Sequence, residues 1–176
     1  IEAAGVHVED IVASPLAASF ATLTKLQKAS GCVLANIGSQ TTSIVIFEES
    51  IPISLQVFPI GSTDITNDIA LGLQIAIEDA ERIKIGERSI EVSRKKLDEI
   101  IEARLSDIFE LIENHLKKLG ASGLLPAGVI ITGGGSGISA IEDSAKKYFR
   151  LPAKISSDAI TLSSRNQIRD SAWSVA

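Results

Sequence analysis

Cysteine is nearly absent. Cys32 stands alone in the 176-residue sequence, which excludes an intrachain disulfide, and its place in an apolar run marks an inert buried thiol rather than a reactive one. Histidine is almost as scarce. His7 and His115 lie far apart without companions at metal-ligand spacing, and His115, beside Asn114 and Lys117 on a helical stretch, is expected to be exposed. Aromatic residues make up only 4%, so Ile, Leu, Val and Ala must build the core. No run approaches the roughly twenty apolar residues needed to span a bilayer, and no signal peptide opens the chain, which makes the cytoplasm the default compartment. Basic charge is also short: the net charge of −5 argues against a general nucleic-acid binder. Neither a periodic repeat nor a low-complexity tract appears, which excludes solenoids and disordered linkers. Methionine is missing, and the chain opens mid-element at Ile1 and stops at Ala176 inside an apparent helix, so a fragment of a longer protein is expected.

What remains is a globular composition, 45% hydrophobic and 22% charged, long enough for one sizeable core or a domain with a smaller appendage. It is organised around residues 31–47. An apolar run from Cys32 to Ala35 meets a polar tip, Asn36-Ile37-Gly38-Ser39-Gln40-Thr41, and a second run, Ser43 to Phe47, leads away. Two strands joined by a short turn is the simplest reading. Gly38 permits close backbone approach, and Ser39, Gln40, Thr41 and Thr42 add donors, so the tip can form an anion-cradling nest. An ordinary hairpin with a solvated tip fits the same residues.

A second stretch, residues 128–143, reads as a buried-type strand, a glycine run and an amphipathic helix. Gly133, Gly134 and Gly135 put no side chain in the way of a flat or charged ligand, and a following helix start offers free N–H groups. Elsewhere, Ile11–Ser14 reads as a short strand. Pro15 starts a helix from Leu16 to about Lys28 with Leu16, Phe20, Leu23 and Leu26 on one face. Ile51 to Pro59 forms a third strand, and Gly61 ends it before a helix that Asp64 or Thr66 caps. Glu78 to Lys84 is a helix with Ala76, Ala80 and Ile83 inward and Glu81 and Lys84 outward, spaced as a plain surface ion pair. A long helix from Ser93 to Leu119 carries a broad apolar stripe from Leu97 to Leu119, with Glu102 and Arg104 off it. Ile138 to Phe149 is a helix with Ile138, Ile141, Ala145 and Phe149 inward. Ala153–Ile155 is a short strand, and a closing helix begins at Asp170.

The Asn36–Thr42 tip, the run from Phe58 to Ala70, the Glu78–Lys84 segment, the Ile100-Ile-Glu-Ala-Arg104 helix and the Thr132-Gly-Gly-Gly135 turn occur in one order over most of the chain. In that order they resemble the phosphate-2 and adenosine motifs of the actin-like ATPase superfamily, and within it the bacterial cell-division family FtsA. The resemblance implies an α/β fold, an actin-like (ribonuclease H-like) ATPase subdomain with a mixed sheet, antiparallel hairpins and flanking helices. It implies a nucleotide-binding core from residues 1–61 and 127–176 (2A-like), and a smaller helical subdomain at 62–126 (2B-like). It implies ATP and Mg2+ as ligands. Gly38, Ser39, Gln40, Thr41, Gly61, Gly133, Gly134 and Gly135 would surround the nucleotide, and Glu81 and Lys84 would flank the nucleoside. The tubulin homologue FtsZ would bind through its acidic C-terminal tail, with Arg104 as carboxylate clamp. The protein would form actin-like filaments and work at the inner face of the cell membrane at the division site, tethered by a segment outside this chain.

The sequence departs from the family pattern twice. The usual Asp-Ile-Gly-Gly-Gly-Thr tip is Asn36-Ile37-Gly38-Ser39-Gln40-Thr41 here. The lost aspartate helps organise magnesium, and a neutral amide binds hard cations less well, leaving Asn36 an indirect role through water. Backbone donors survive, so the expectation is nucleotide binding with at most slow hydrolysis. Second, Ile85–Val92 joins its two helices almost directly where FtsA proteins carry a strand-containing insertion. Two other readings remain at this point: a pilus-assembly adaptor resembling PilM, and a small-molecule kinase of the same superfamily.

Overall fold

The computed structural model describes residues 2–87 and 91–156. Strands β1 (Cys32–Ile37), β2 (Thr42–Glu48) and β3 (Ile51–Phe58) form an antiparallel meander. Strand β4 (Gly128–Thr132) then joins β1 in parallel, and β5 (Ala153–Ile155) joins β4, giving the sheet order β3-β2-β1-β4-β5. The α/β mixed sheet expected from the sequence is therefore present. β1, β2 and β4 lie in the middle and are buried on both faces, which explains their continuous apolar runs. β3 is the edge. Its register with β2 shifts between Ile46 and Phe47, and Ile51, Ile53, Leu55 and Val57 remain exposed.

One face of the sheet carries the main core. Helix α5 (Arg94–Lys118) lays Ile101, Leu105, Ile108, Phe109, Ile112 and Leu116 against it, together with α3 (Ser62–Leu73), α4 (Ile77–Lys84) and α6 (Ile141–Phe149). Each of those α5 side chains contributes roughly 1.5–3 kcal/mol through burial. The stripe is narrower than its periodicity implies, since Leu111 and Leu119 are exposed. Phe109 joins it instead, its ring centroid 5.2 Å from that of Phe149. Ile138, Ile141, Ala145 and Phe149 all point inward as expected.

The other face is covered more thinly, by Ala18 and Leu23 over Cys32, Leu34, Val45 and Phe47. Burial pushes the Cys32 thiol up to about 11, so it stays protonated and unreactive. Here the sequence reading needs three corrections. Ile11–Ala13 forms no strand. The single helix of residues 16–28 is two, α1 (Ser14–Thr22) and α2 (Lys25–Ser30). Thr24 breaks it by capping α2: Gln27 N donates to Thr24 Oγ1 at 3.2 Å, and Thr24 N donates to Gln27 Oε1 at 2.8 Å. That reciprocal Thr-x-x-Gln box is readable in sequence and outranks the helical periodicity. Third, Phe20 and Leu26 are exposed, and α1 turns in Ala18, Ser19 and Thr22 instead.

His115 is not simply exposed. It is half-buried, its Nε2 2.8 Å from Ser54 Oγ, its ring edge-on to Phe58. Burial, with Lys118 nearby, lowers its pKa below the ordinary 6.5. The folded state therefore binds this proton less readily than the unfolded chain, and His115 costs stability as pH falls through about 6.5, levelling off below the folded-state value. Urea melts at pH 7.5 and 5.5 should show a larger acid loss for wild type than for His115→Gln.

The segment joining α4 to α5 carries no strand among its described residues. The expected helix from Asp170 lies outside the described residues.

Candidate functional site

Parallel pairing of β1 with β4 decides where the site lies. The register sets Asn36 beside Thr132, so the polar tip after β1 and the glycine turn after β4 emerge side by side at the carboxyl ends of adjacent parallel strands. In open α/β sheets that edge is where ligands bind. Two stretches far apart in sequence are thus brought together by one strand pairing.

The tip is a tight turn closed by Gly38 N donating to Thr41 O at 2.9 Å. It is braced from the side by the start of α3. Ser62 N donates to Gly38 O at 2.9 Å and Thr63 N to Ser39 O at 2.8 Å. Thr42 Oγ1 donates to Ile60 O at 2.8 Å. Gly61 sits where a Cβ would overlap Ser39 O and come within 2.7 Å of Gly38 O, so no side chain fits there. Its own N–H donates to Asp64 Oδ2 at 2.8 Å, so Gly61 is the N-cap and the expected capping role of Asp64 is played from N3.

The three glycines are not equivalent. Gly133 has φ +88°, and a Cβ there would overlap Asn36 Oδ1 and lie 2.6 Å from Ile37 O. A Cβ on Gly135 would come within 2.6 Å of Ile37 Cγ2. Both glycines exist so that the turn can pack on the end of β1. Gly134 has open space where its Cβ would be, so it alone faces outward. The turn continues as a 3-10 segment, Gly134–Gly137, and α6 begins only at Ile141. The helix start expected immediately after the glycines is therefore displaced.

Glu81 and Lys84 form no plain surface pair. Lys84 is buried, and its Nζ donates to Glu81 Oε2 at 2.7 Å, Thr66 Oγ1 at 2.8 Å and Ser62 O at 3.2 Å. Thr66 Oγ1 also donates to Glu81 Oε2 at 2.6 Å. Glu81 itself is half-exposed. Burial alone would raise its pKa, but the hydrogen bonds from Lys84 and Thr66 prevail and lower it. Thr66 enters the site unannounced by sequence. Its only advance signal is four-residue spacing from Ser62, whose carbonyl it also reaches.

Beside Lys84 opens a cavity of about 530 Å³ between the end of α4, the start of α5 and Ser139 beyond the glycine turn. Ile83, Leu97 and Ile101 give it apolar walls, and Arg94 and Ser139 supply polar atoms. That size and mixture suit a small organic ligand.

Arg104 lies apart from these groups. Its Nε and Nη2 meet Asp68 Oδ2 and Oδ1 at 2.6 and 3.0 Å, and Nη1 lies 3.3 Å from Asp107. The hydrogen bond to Asp68 leads in raising its pKa further. The expected clamp for a partner's carboxylate therefore holds carboxylates of its own chain, pinning α3 to α5. Asp68 and Arg104 are too far apart in sequence for spacing to reveal the pair.

The sequence model of the family described as Cell division protein FtsA matches residues 33–176. The chain belongs to the FtsA family. It is 33% identical over 173 residues to the FtsA of Pseudomonas aeruginosa, covering 86% of this chain and 42% of that protein. Against FtsA of Bacillus subtilis it is 30% identical, with 89% and 40% covered. The chain thus spans about two fifths of the length of these relatives. Among solved structures it is similar to MreB5 of Spiroplasma citri bound to ADP, with TM-score 0.76, 18% identity, and 90% and 58% of the two chains covered. It is also similar to the PilM-PilN type IV pilus biogenesis complex, with TM-score 0.66, 18% identity, and 87% and 44% covered. At such identities these likenesses show the fold, which is actin-like.

Proposed function

We propose that this chain is one half of an FtsA-type protein that binds ATP between two halves, polymerises like actin and tethers FtsZ to the membrane at the division site. The observation that carries this reading is the juxtaposition of the β1–β2 tip with the outward-facing Gly134 and the adjoining cavity. Phosphates fit over the N–H groups of Ser39, Gln40 and Thr41, with the Gly38 N–H closing the turn beneath them, the nucleoside passes Gly134, and the base enters the cavity walled by Ile83 and Leu97. Nucleotide on the MreB5 structures, bound to ADP in one and AMPPNP in another, supports the same ligand class for this fold.

Among the described residues no three carboxylate, imidazole or thiol groups converge as a metal site. The donor set at the tip is neutral, so Asn36 would help hold Mg2+ only through water, and the ion would screen phosphate charge. This chain's own groups orient the nucleotide and supply no general base at the tip, and hydrolysis is accordingly slow. ATP then acts chiefly as a conformational and polymerisation ligand. The small-molecule kinase reading needs an aspartate general base and a substrate pocket that nothing among the described residues supplies, and membership of the FtsA family outweighs the fold likeness to PilM.

Membrane attachment is assigned to a part of the full-length protein beyond this chain; no described helix is long and apolar enough to cross a membrane. Arg104 is proposed to exchange Asp68 for a carboxylate of the FtsZ tail. Sedimentation of the full-length protein with Mg-ATP, with and without labelled FtsZ tail peptide, tests the reading. Nucleotide-dependent pelleting and peptide binding weakened by Arg104→Ala are expected. A protein that neither pellets nor binds the peptide would overturn it.

A further inference from the structure

The two edges of the sheet are built differently. At one end β5 has three residues, with Lys154 exposed in the middle of them. A short strand carrying a charge blunts a free edge against pairing with other chains. At the other end β3 has eight residues, Ile51-Pro-Ile-Ser-Leu-Gln-Val-Phe58, and none is charged. Among the described residues only β2 lies beside it, so no strand meets its outer backbone groups. The register sets Leu55 opposite Val45 and Val57 opposite Ser43, which places both on the thinly covered face of the sheet. There Ile53, Leu55 and Val57 stay between 41% and 52% exposed. The other face of the strand is anchored to α5, where Ser54 Oγ and Phe58 meet the ring of His115. The edge is therefore held in place before anything docks on it, which lowers the ordering cost of docking.

The strand complements itself. Turned end for end about Leu55, it sets Ile53 against Val57, Leu55 against Leu55 and Ser54 against Gln56, so apolar meets apolar on one face and polar meets polar on the other. Charge points the same way. Each chain carries a net −5, and copies that approach through this uncharged strand bring no like charges face to face. We propose that β3 is a self-association surface, on which two copies pair their β3 strands antiparallel across a two-fold axis at Leu55 and join their sheets into one. Such a contact closes at two copies. It uses neither the polar tip nor the cavity, so it is separate from the nucleotide-dependent polymerisation proposed above.

Cysteine cross-linking of the full-length protein without nucleotide tests this. Cys32 is buried and stays protonated, so Leu55→Cys supplies the reactive thiol of this chain, and any cysteine beyond residues 1–176 is changed to serine. Leu55→Cys is expected to form a disulfide-linked dimer under mild oxidation, because the two thiols meet at the axis. Ile51→Cys should not. Its two copies would stand roughly 27 Å apart along the paired strands, whereas a disulfide needs Cα atoms within about 7 Å. Sedimentation velocity gives a second reading. Wild type should associate as its concentration rises, and Leu55→Lys, which sets like charges against each other, should weaken that association at least about tenfold and leave the thermal melt unchanged. Equal linkage at positions 51 and 55 would show collision without register and overturn the proposal. Failure of Leu55→Cys to link overturns it too, whether maleimide finds that thiol open or shielded by the rest of the full-length chain. Wild-type protein that links through position 55 and never pellets with Mg-ATP would overturn the polymerisation reading and leave this one standing.

Discussion

Replacing Gly134 by leucine is expected to lower Mg-ATP affinity by at least about 100-fold, or roughly 2.7 kcal/mol, with the protein remaining folded. The reason is geometric. A Cβ at Gly134 meets nothing within 4 Å, so the added isobutyl group does not disturb the chain's own packing. On the proposed reading the nucleoside passes this residue, and the added group stands in its way. The left-handed backbone restriction does not apply at this glycine either. Calorimetric titration alongside a thermal melt separates the two effects: affinity should collapse and the melting temperature should move by no more than about 2 °C, less than 1 kcal/mol for a chain of this size.

Replacing Gly133 by valine, one residue earlier, is expected to act through the fold. Gly133 has φ +88°, where a β-branched residue is strained, and any Cβ there overlaps the Asn36 carboxamide and crowds Ile37 O. Strain and overpacking together should cost roughly 2–5 kcal/mol. Against a total stability of only about 5–15 kcal/mol, that is a large share of what holds the chain folded. Denaturant melts check it directly. A Gly133→Val protein as stable as wild type would show that the turn does not pack on β1 as described. The contrast between neighbours separates one glycine run: Gly133 and Gly135 pack the turn on β1, while Gly134 has open space and is proposed to face the ligand.

Much of this architecture was legible in the chain. The two apolar runs around the Asn36–Thr41 tip, and the Gly128–Thr132 run before the glycines, are buried on both faces and have no other use than central strands. The order of the motifs identified the family, because a tip, a Gly61 turn, an Ile-Glu-Ala-Arg helix and a triple glycine in that sequence are jointly specific. Other features depended on tertiary context. Periodicity alone ran one helix from Leu16 to Lys28, although the Thr24–Gln27 capping box cuts it in two. His115 looked solvated among polar neighbours, yet Ser54 and Phe58 from the edge strand cover it.

The site shows the same division. Spacing suggested a surface ion pair at Glu81 and Lys84. Their three-residue spacing on one helix face does place them together, but only the packing of α3 across α4 buries the lysine and brings Thr66 to both. Arg104 stood off the apolar stripe, as solvated arginines do, and its bidentate pairing with Asp68 came from another helix. Local pattern finds strands, caps and glycine turns because their causes are local. It does not find partners supplied by a different element.

The most direct test of the account is titration of Mg-ATP into the full-length wild-type protein. Saturable binding of one nucleotide per chain is the predicted result, with Gly134→Leu as the folded control that abolishes it. A folded wild-type protein that takes up no nucleotide would contradict the account, and would leave Asn36, Ser39 and Gln40 as the marks of a tip that keeps its shape without its ligand.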